Sequence, residues 1–243
     1  MKKFYIYFLF VFCIMPLMAQ MQKTSALNKL TAEEQEEGWK LLFNGKELDG
    51  WVSVGQETPP SFGWRIDGGI LTVKKEGDKR GGDIITKEQF SDFDLKVDFK
   101  LTKGSNSGIK YFFTKYEKGG WLGLEYQLLD DDNHPDAKLG RNGNRKTASL
   151  YDMFPPSPDK KMNPIGEWNS ARIVAKGTVV THYLNGEEVL TFDRKSEEYK
   201  NAWLLSKYNN SQPMFGDVKQ GHILLQDHGD EVSFRNIKIK VLK

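Results

Sequence analysis

Phe93-Asp94-Leu95-Lys96-Val97-Asp98-Phe99-Lys100-Leu101 alternates apolar with charged residues over its whole length. Successive side chains on a strand point to opposite faces, so this stretch predicts a strand with one face in a core and the other in water. Such a one-sided strand belongs in an antiparallel sheet, because parallel strands are usually buried on both faces. Further along, Thr178 to Leu184 and Glu187 to Phe192 flank Asn185-Gly186. That dipeptide tolerates positive φ at both positions and predicts a two-residue hairpin turn. Near the C-terminus, Val232 and Phe234 share one parity while Ile237, Ile239 and Val241 share the other. A β-bulge at Arg235-Asn236 keeps both sets on one face.

Outward from these strands, the chain from Trp39 onward is a series of short β-like runs separated by Gly, Pro, Asn and Asp, with no long amphipathic helix and no internal repeat. The pattern predicts an all-β fold, a two-sheet antiparallel jelly-roll sandwich occupying residues 38–243. Residues 20–37 read as a polar leader in which Thr31-Ala32-Glu33-Glu34 forms a capping box on a short helix, a spacer or docking turn. Asp130 to Gly166 is mostly Asp, Asn, Gly, Pro and Lys, which predicts a lid, a binding loop or a disordered segment.

The N-terminus carries Met1-Lys2-Lys3 and then an apolar run from Phe4 through Met18, the charged and apolar regions of an export signal. Cleavage is expected after Ala19, so that 1–19 is a signal peptide and the mature protein is periplasmic or secreted. Cys13 is the single cysteine, and Phe10-Val11-Phe12 before it lacks the pattern of a lipid-attachment signal. The mature chain therefore has no thiol for a disulfide, a thiolate metal site or a nucleophile. Removing Lys2 and Lys3 from the 35 basic residues leaves 33 against 33 acidic ones. That balance argues against a nucleic acid or an anionic membrane as partner.

Three strands carry the chemistry. Leu122 to Leu129 puts Leu122, Leu124, Tyr126 and Leu128 on one parity and Gly123, Glu125 and Gln127 on the other. Asn106 to Phe113 offers Gly108 and Lys110 opposite Ile109, Tyr111 and Phe113. His222 to His228 points Ile223 and Leu225 inward and His222, Leu224, Gln226 and His228 outward. If the three share a sheet, its open face gathers a base, amides, a cation and imidazoles. A Glu or Lys standing alone on a strand is usually solvated surface, and His182, without clear polar neighbours, reads as structural. Asp130-Asp131-Asp132-Asn133-His134-Pro135-Asp136 is either a divalent-metal loop or a solvated acidic turn. Glu125-x-Gln127-x-x-Asp130 has the spacing of the Glu-x-Asp-x-x-Glu strand of retaining β-glucanases, with an amide in the middle place and a shorter acid in the last. Of the six tryptophans, Trp39, Trp51, Trp64 and Trp168 occupy core-like positions.

Gly38-Trp39-Lys40-Leu41-Leu42-Phe43-Asn44-Gly45-Lys46 with Asp49-Gly50-Trp51, then Asn106-Ser107-Gly108-Ile109, Glu125-Tyr126-Gln127-Leu128-Leu129-Asp130, Gly166-Glu167-Trp168-Asn169, His182-Tyr183-Leu184-Asn185-Gly186 and Leu225-Gln226-Asp227-His228-Gly229 together resemble the 3-keto-disaccharide hydrolase family, domain of unknown function 1080. The resemblance runs from about Gly38 to Leu242. It implies a concanavalin A-like jelly roll acting on 3-keto-glycosides that a separate sugar C3 dehydrogenase has oxidised. A C3 ketone acidifies the C2 proton, so a base can remove it, the C1 substituent can leave and water can add. Such a site needs a base, a group that stabilises the enolate oxygen and an acid for the leaving group. By face and chemistry the base is Glu125 or His228, and the enolate stabiliser is Lys110, Arg141 or a divalent metal ion held by Glu125, His134 and His228. Gln127, Asp130, Asp152 and Gln226, with Arg141, are the candidate substrate contacts. A glucanase acting directly on glucans and a sugar-binding lectin-like module are the alternatives.

Overall fold

The alternation at residues 93–101 becomes a strand whose odd-numbered members, Phe93 to Leu101, are all within 1% of complete burial. The structure, a computed structural model, describes residues 27–243; the expected signal peptide and the first residues of the leader lie outside the described residues. In chain order the elements are α1 (Ala32–Glu36), β1 (Trp39–Leu41), β2 (Trp51–Ser53), β3 (Trp64–Asp67), β4 (Ile70–Val73), β5 (Ile84–Thr86) and β6 (Phe93–Leu101). They continue with β7 (Asn106–Tyr116), β8 (Gly120–Leu129), β9 (Trp168–Lys176), β10 (Val179–Leu184), β11 (Glu187–Asp193), α2 (Glu197–Leu204), β12 (His222–Leu225) and β13 (Val232–Val241). Every ladder is antiparallel, and the strands form the two sheets of a sandwich. The larger sheet has the order β11-β10-β9-β6-β13-β4-β3, with β1 also paired to β13. The smaller has the order β2-β5-β12-β7-β8.

The turn chemistry is as expected. Asn185 and Gly186 both adopt positive φ, 51° and 88°, between β10 and β11. The register of β13 against β6 shifts between Arg235 and Lys238, and Asn236 takes φ 52°, so Phe234, Ile237 and Ile239 all reach the core. The bulge also anchors the leader: Asn28 and Asn236 exchange backbone-to-side-chain hydrogen bonds of 2.8 Å in both directions. Thr31 and Glu34 complete the capping box on α1, and Glu34 pairs with Lys238 on β13. The leader is thus a docking turn on the larger sheet.

Several expectations give way to packing. Phe113, expected beside Ile109 and Tyr111, lies on the opposite face, because Phe112 adopts φ 50° and the β7–β8 register shifts between Tyr111 and Thr114. Phe112 enters the core and the alternation restarts one residue out of phase. Trp168 is only half buried; it lies on the outer face of the larger sheet between Arg235, 4.0 Å from its ring centre, and Lys100, at 5.1 Å. The segment from Asp130 to Gly166 is an ordered layer: Gln127 donates to Ser149 O, and Ala148 and Tyr151 donate to Gln127 O and Glu125 O, which extends the edge of β8. Residues 147–153 are consequently all buried.

His182 sits in the middle of the core, fully buried, 2.7 Å from the Tyr111 hydroxyl and 3.0 Å from Ala148 O. Its role is structural, as expected, though it does have polar partners. Burial lowers its pKa from 6.5 to about 4. The folded state therefore takes up this proton later than the unfolded state as pH falls. Stability is fully present above about pH 6.5 and declines toward pH 4, by up to about 3 kcal/mol for a shift of this size. Thermal unfolding of wild type and His182→Gln between pH 8 and 4 checks this: the acid-side slope of the melting temperature is expected to flatten in the variant.

Candidate functional site

The register of the smaller sheet sets out its outer face as rows of side chains. Val52 on β2 lies opposite Ile85 on β5, Ile85 opposite Leu224 on β12, Leu224 opposite Lys110 on β7, and Lys110 opposite Glu125 on β8. One row thus crosses five strands and changes from aliphatic to charged at Lys110. In the neighbouring row Gln226 donates its backbone N–H to Gly108 O, and Gly108 lies opposite Gln127. Asp83, just before β5, accepts from the backbone N–H of Asp227 at 2.8 Å. The three strands that carry polar residues in the sequence are therefore adjacent, and they bring Lys110, Glu125, Gln127 and Gln226 together.

Glu125 is the centre of this group. It was expected on an open face, yet only 5% of it is exposed. Its Oε2 is 3.7 Å from Lys110 Nζ, near enough for a strong charge pairing and too far for a hydrogen bond. Gln127, with its amide nitrogen turned toward acceptors, donates to Glu125 Oε1 at 3.2 Å and to Ser107 O at 2.9 Å. The carboxylate lies directly above Gly108, where a Cβ would be 2.4 Å from Oε1. A buried charge of this kind needs both the cation and the donor to offset its lost hydration.

Two residues that the sequence reading missed complete the electrostatics. Burial raises the pKa of Asp83 above the ordinary carboxylate value, with Lys110 and the Asp227 N–H opposing it. Burial lowers the pKa of Lys207, and Lys110 adds to that lowering while Glu125 opposes it. The Lys207 ammonium lies 4.3 Å from the Tyr151 ring centre and 5.2 Å from that of Tyr208. Gln226 Oε1 is buried with no hydrogen-bond partner among the described residues, an acceptor aimed at the same region. A cleft of 420 Å³ opens onto Asp83 and Lys110 and is walled by Phe62, Phe113 and Trp121. The signal for Asp83 was available, a carboxylate between two glycines and an apolar run in Gly81-Gly82-Asp83-Ile84-Ile85. Lys207 lies in a turn with no such mark.

Other candidates are spent on building the loops. Asp130 accepts from the N–H groups of Gly104, Asp132 and Asn133 and from the Asn133 side chain. Burial works to raise its pKa, but these donors prevail and hold it below the ordinary value. It lies just past the end of β8 with both carboxylate oxygens engaged by these donors, so it does not face Glu125 as a glucanase-like partner. Arg141 donates to Leu205 O and Asp152 O, which ties its loop to the end of α2. Asp152 is buried, paired with Arg145 at 2.8 Å, and it accepts the backbone N–H of Lys207 at 2.9 Å. It thereby holds Lys207 in place. His134 caps a 3-10 helix through Nδ1, which accepts from Asp136 N. Its ring is 6.3 Å from that of His228, which is exposed on the rim beside Asp83 and Gln226. The expected metal set of Glu125, His134 and His228 does not assemble: no three His, Cys, Asp or Glu side chains among the described residues form a metal-holding group. The present donors do not fit such an ion.

Comparison with known proteins sets this geometry among relatives. The 3-keto-alpha-glucoside-1,2-lyase-like domain matches residues 38–240. A 3-keto-disaccharide hydrolase from Bacteroides thetaiotaomicron is 39% identical over 246 residues, covering 90% of this chain and 84% of that protein. A candidate glycosyl hydrolase from Parabacteroides distasonis superposes with a TM-score of 0.77 at 35% identity, covering 90% of this chain and 100% of the other. A second one from the same organism gives 0.66 at 28%, covering 84% and 99%.

The fit between Gly108 and Glu125 is directly testable. Gly108 has no positive φ, so alanine suits its backbone, and the obstacle is the end of a flexible side chain. Gly108→Ala is expected to fold with a melting temperature within a few degrees of wild type while pushing the Glu125 carboxylate off its seat, visible crystallographically as a broken Lys110–Glu125 pair.

Proposed function

Because the chain belongs to the 3-keto-alpha-glucoside-1,2-lyase-like family, we propose that it cleaves 3-keto-glycosides by removing the C2 proton, eliminating the C1 substituent and adding water to the resulting enone. The observation that carries this reading is the buried Glu125 set opposite Lys110, which lines the cleft together with Asp83, with Lys207 close by. A carboxylate flanked by two ammonium groups suits a reaction that moves a proton to a base while negative charge grows on a nearby oxygen.

In this reaction Glu125 takes the proton from C2. The electron pair of the C2–H bond forms the enolate, whose C3 oxygen is neutralised by Lys110 and Lys207. Collapse of the enolate restores the C3 carbonyl, makes the C1–C2 double bond and breaks the bond from C1 to the glycosidic oxygen. Asp83, whose pKa is raised, gives that oxygen its proton. Water then adds at C1 and a proton returns to C2, which yields the 3-keto sugar. Gln226 Oε1 holds a hydroxyl group, Gln127 is buried and positions the Glu125 carboxylate, and His228 stands on the rim. No step is routed through a metal, since Glu125, His134 and His228 do not form a group that could hold one. The substrate is a small carbohydrate derivative supplied by a sugar C3 dehydrogenase. With the export signal expected at 1–19, the reaction takes place in the periplasm or outside the cell.

Purified protein with 3-keto and ordinary glucosides tests the reading. The keto forms are expected to react and the ordinary ones to be inert, with solvent deuterium appearing at C2; equal rates on both would overturn it. Glu125→Gln is expected to lose at least about a hundredfold in turnover with little change in melting temperature, and a variant that stays active would remove Glu125 from the base role. Asp83→Asn is expected to slow alkyl 3-keto-glucosides far more than 4-nitrophenyl ones, because a good leaving group needs no acid. A uniform loss would assign Asp83 to binding.

A further inference from the structure

The aliphatic half of the row that carries Lys110 and Glu125 has no part in the proton transfers. Val52, Ile85, Leu224 and Phe113 form a small buried apolar cluster of their own, separate from the core between the sheets. They lie on the outer face of the smaller sheet, where alternation would ordinarily put polar side chains. Phe113 reaches that face only because Phe112 takes a positive φ.

Above this cluster stands Trp121, 39% exposed and stacked on Phe113 with ring centres 5.5 Å apart and planes at 16°. Gly123 makes the stack possible: a Cβ there would lie 2.9 Å from Phe113 Cα and Cβ. Phe62, also 39% exposed, lines the same 420 Å³ cleft as Phe113, Trp121, Lys110 and Asp83. Trp121 separates this cleft from a second hollow of 380 Å³ that has Val52 and Ile85 on its floor and His222 at its side. Both His222 ring nitrogens already have partners, Thr86 O at 2.6 Å and the Gln89 amide at 3.0 Å.

On the reading proposed above, a sugar seated at Glu125 and Lys110 directs its C1 substituent away from Glu125, past Asp83 and over this apolar surface. We infer that Trp121, with Phe113 beneath it and Phe62 across the cleft, forms the subsite for the leaving group, and that it takes a flat aromatic ring. Ser53, Gln56 and Ser61 also line the cleft, but the stacked Trp121–Phe113 pair facing Phe62 presents flat apolar surface, which an aromatic ring matches by stacking and burial alone. The protein is therefore selective for aryl 3-keto-glucosides over alkyl ones.

Wild type, Trp121→Ala and Trp121→Phe are compared on 4-nitrophenyl and methyl 3-keto-glucosides of each anomer. Leaving-group reactivity cancels in the variant-to-wild-type ratio for each substrate. Trp121→Ala is expected to lose at least about tenfold more kcat/KM on the aryl than on the methyl substrate, mainly through KM, with Trp121→Phe recovering most of it. Equal losses on the two substrates, or none, overturn the assignment. Calorimetric titration with unoxidised 4-nitrophenyl glucoside separates this inference from the reaction on which it rests. Trp121-dependent binding of that compound supports the subsite even if no 3-keto-glycoside is turned over, and binding that ignores Trp121 overturns it.

Discussion

The pairing of β7 with β8, and the one-residue slip within it, governs most of what is distinctive on this molecule. Below the slip, Lys110 stands opposite Glu125 and Gly108 opposite Gln127. Above it, the left-handed Phe112 sends its own ring into the core and turns Phe113 outward. Positive φ at a bulky residue is costly and persists only where surrounding contacts over-determine it. Here the Phe112 ring packs 5.8 Å from Phe93 and lies 4.1 Å from the Arg194 guanidinium. One strained residue thereby converts a uniform strand into a charged half and an aromatic half.

The charged half stays folded because its charges nearly cancel and its carboxylates are held in different ways. Glu125 has a cation on one side and an amide donor on the other, while Asp83 has a backbone donor and greater freedom to carry a proton. In the proposed reaction the buried Asp83, its pKa raised, serves as the acid beside the Glu125 base. The loop beside β8 adds support. Tyr151 donates its N–H to Glu125 O, and its ring lies under Lys207, so the layer beside β8 also seats the second ammonium. Asp152 fixes that layer to the turn after α2 by accepting the Lys207 N–H.

Strand parity alone made much of this visible. Glu125, Gln127, Lys110 and Gln226 were readable because each sits on the polar parity of an otherwise apolar strand, and the adjacency of β12, β7 and β8 turned three separate patterns into one surface. The hairpin at Asn185-Gly186 and the bulge at Arg235-Asn236 were readable because local backbone chemistry decides them. Phe113 was misplaced because nothing local marks Phe112 as left-handed; the packing of its ring decides that. Asp130, Arg141, Asp152 and His134 make structural contacts that their sequence did not announce, for a common reason. They lie in a long irregular segment that is buried, and buried backbone must find partners. Polar side chains there are used on N–H and carbonyl groups, whereas the same residue types in a solvated loop would be free to meet a ligand. Lys207 was invisible because its place depends on that same network.

The arrangement also bears on which bond-breaking chemistry the fold can support. Direct displacement at an ordinary glycoside calls for two carboxylates facing each other across the bond, about 5 Å apart for retention or up to about 9.5 Å for inversion. Just past β8 the residue at glucanase spacing, Asp130, is saturated with donors. Glu125 and Asp83 lie instead in neighbouring rows with Lys110 close to both. A cation in that position would oppose the positive charge of an oxocarbenium-like transition state but would favour an enolate. In the proposed reaction the charge that grows is negative, and a substrate that develops negative charge on cleavage must already carry a carbonyl next to the carbon that loses its proton.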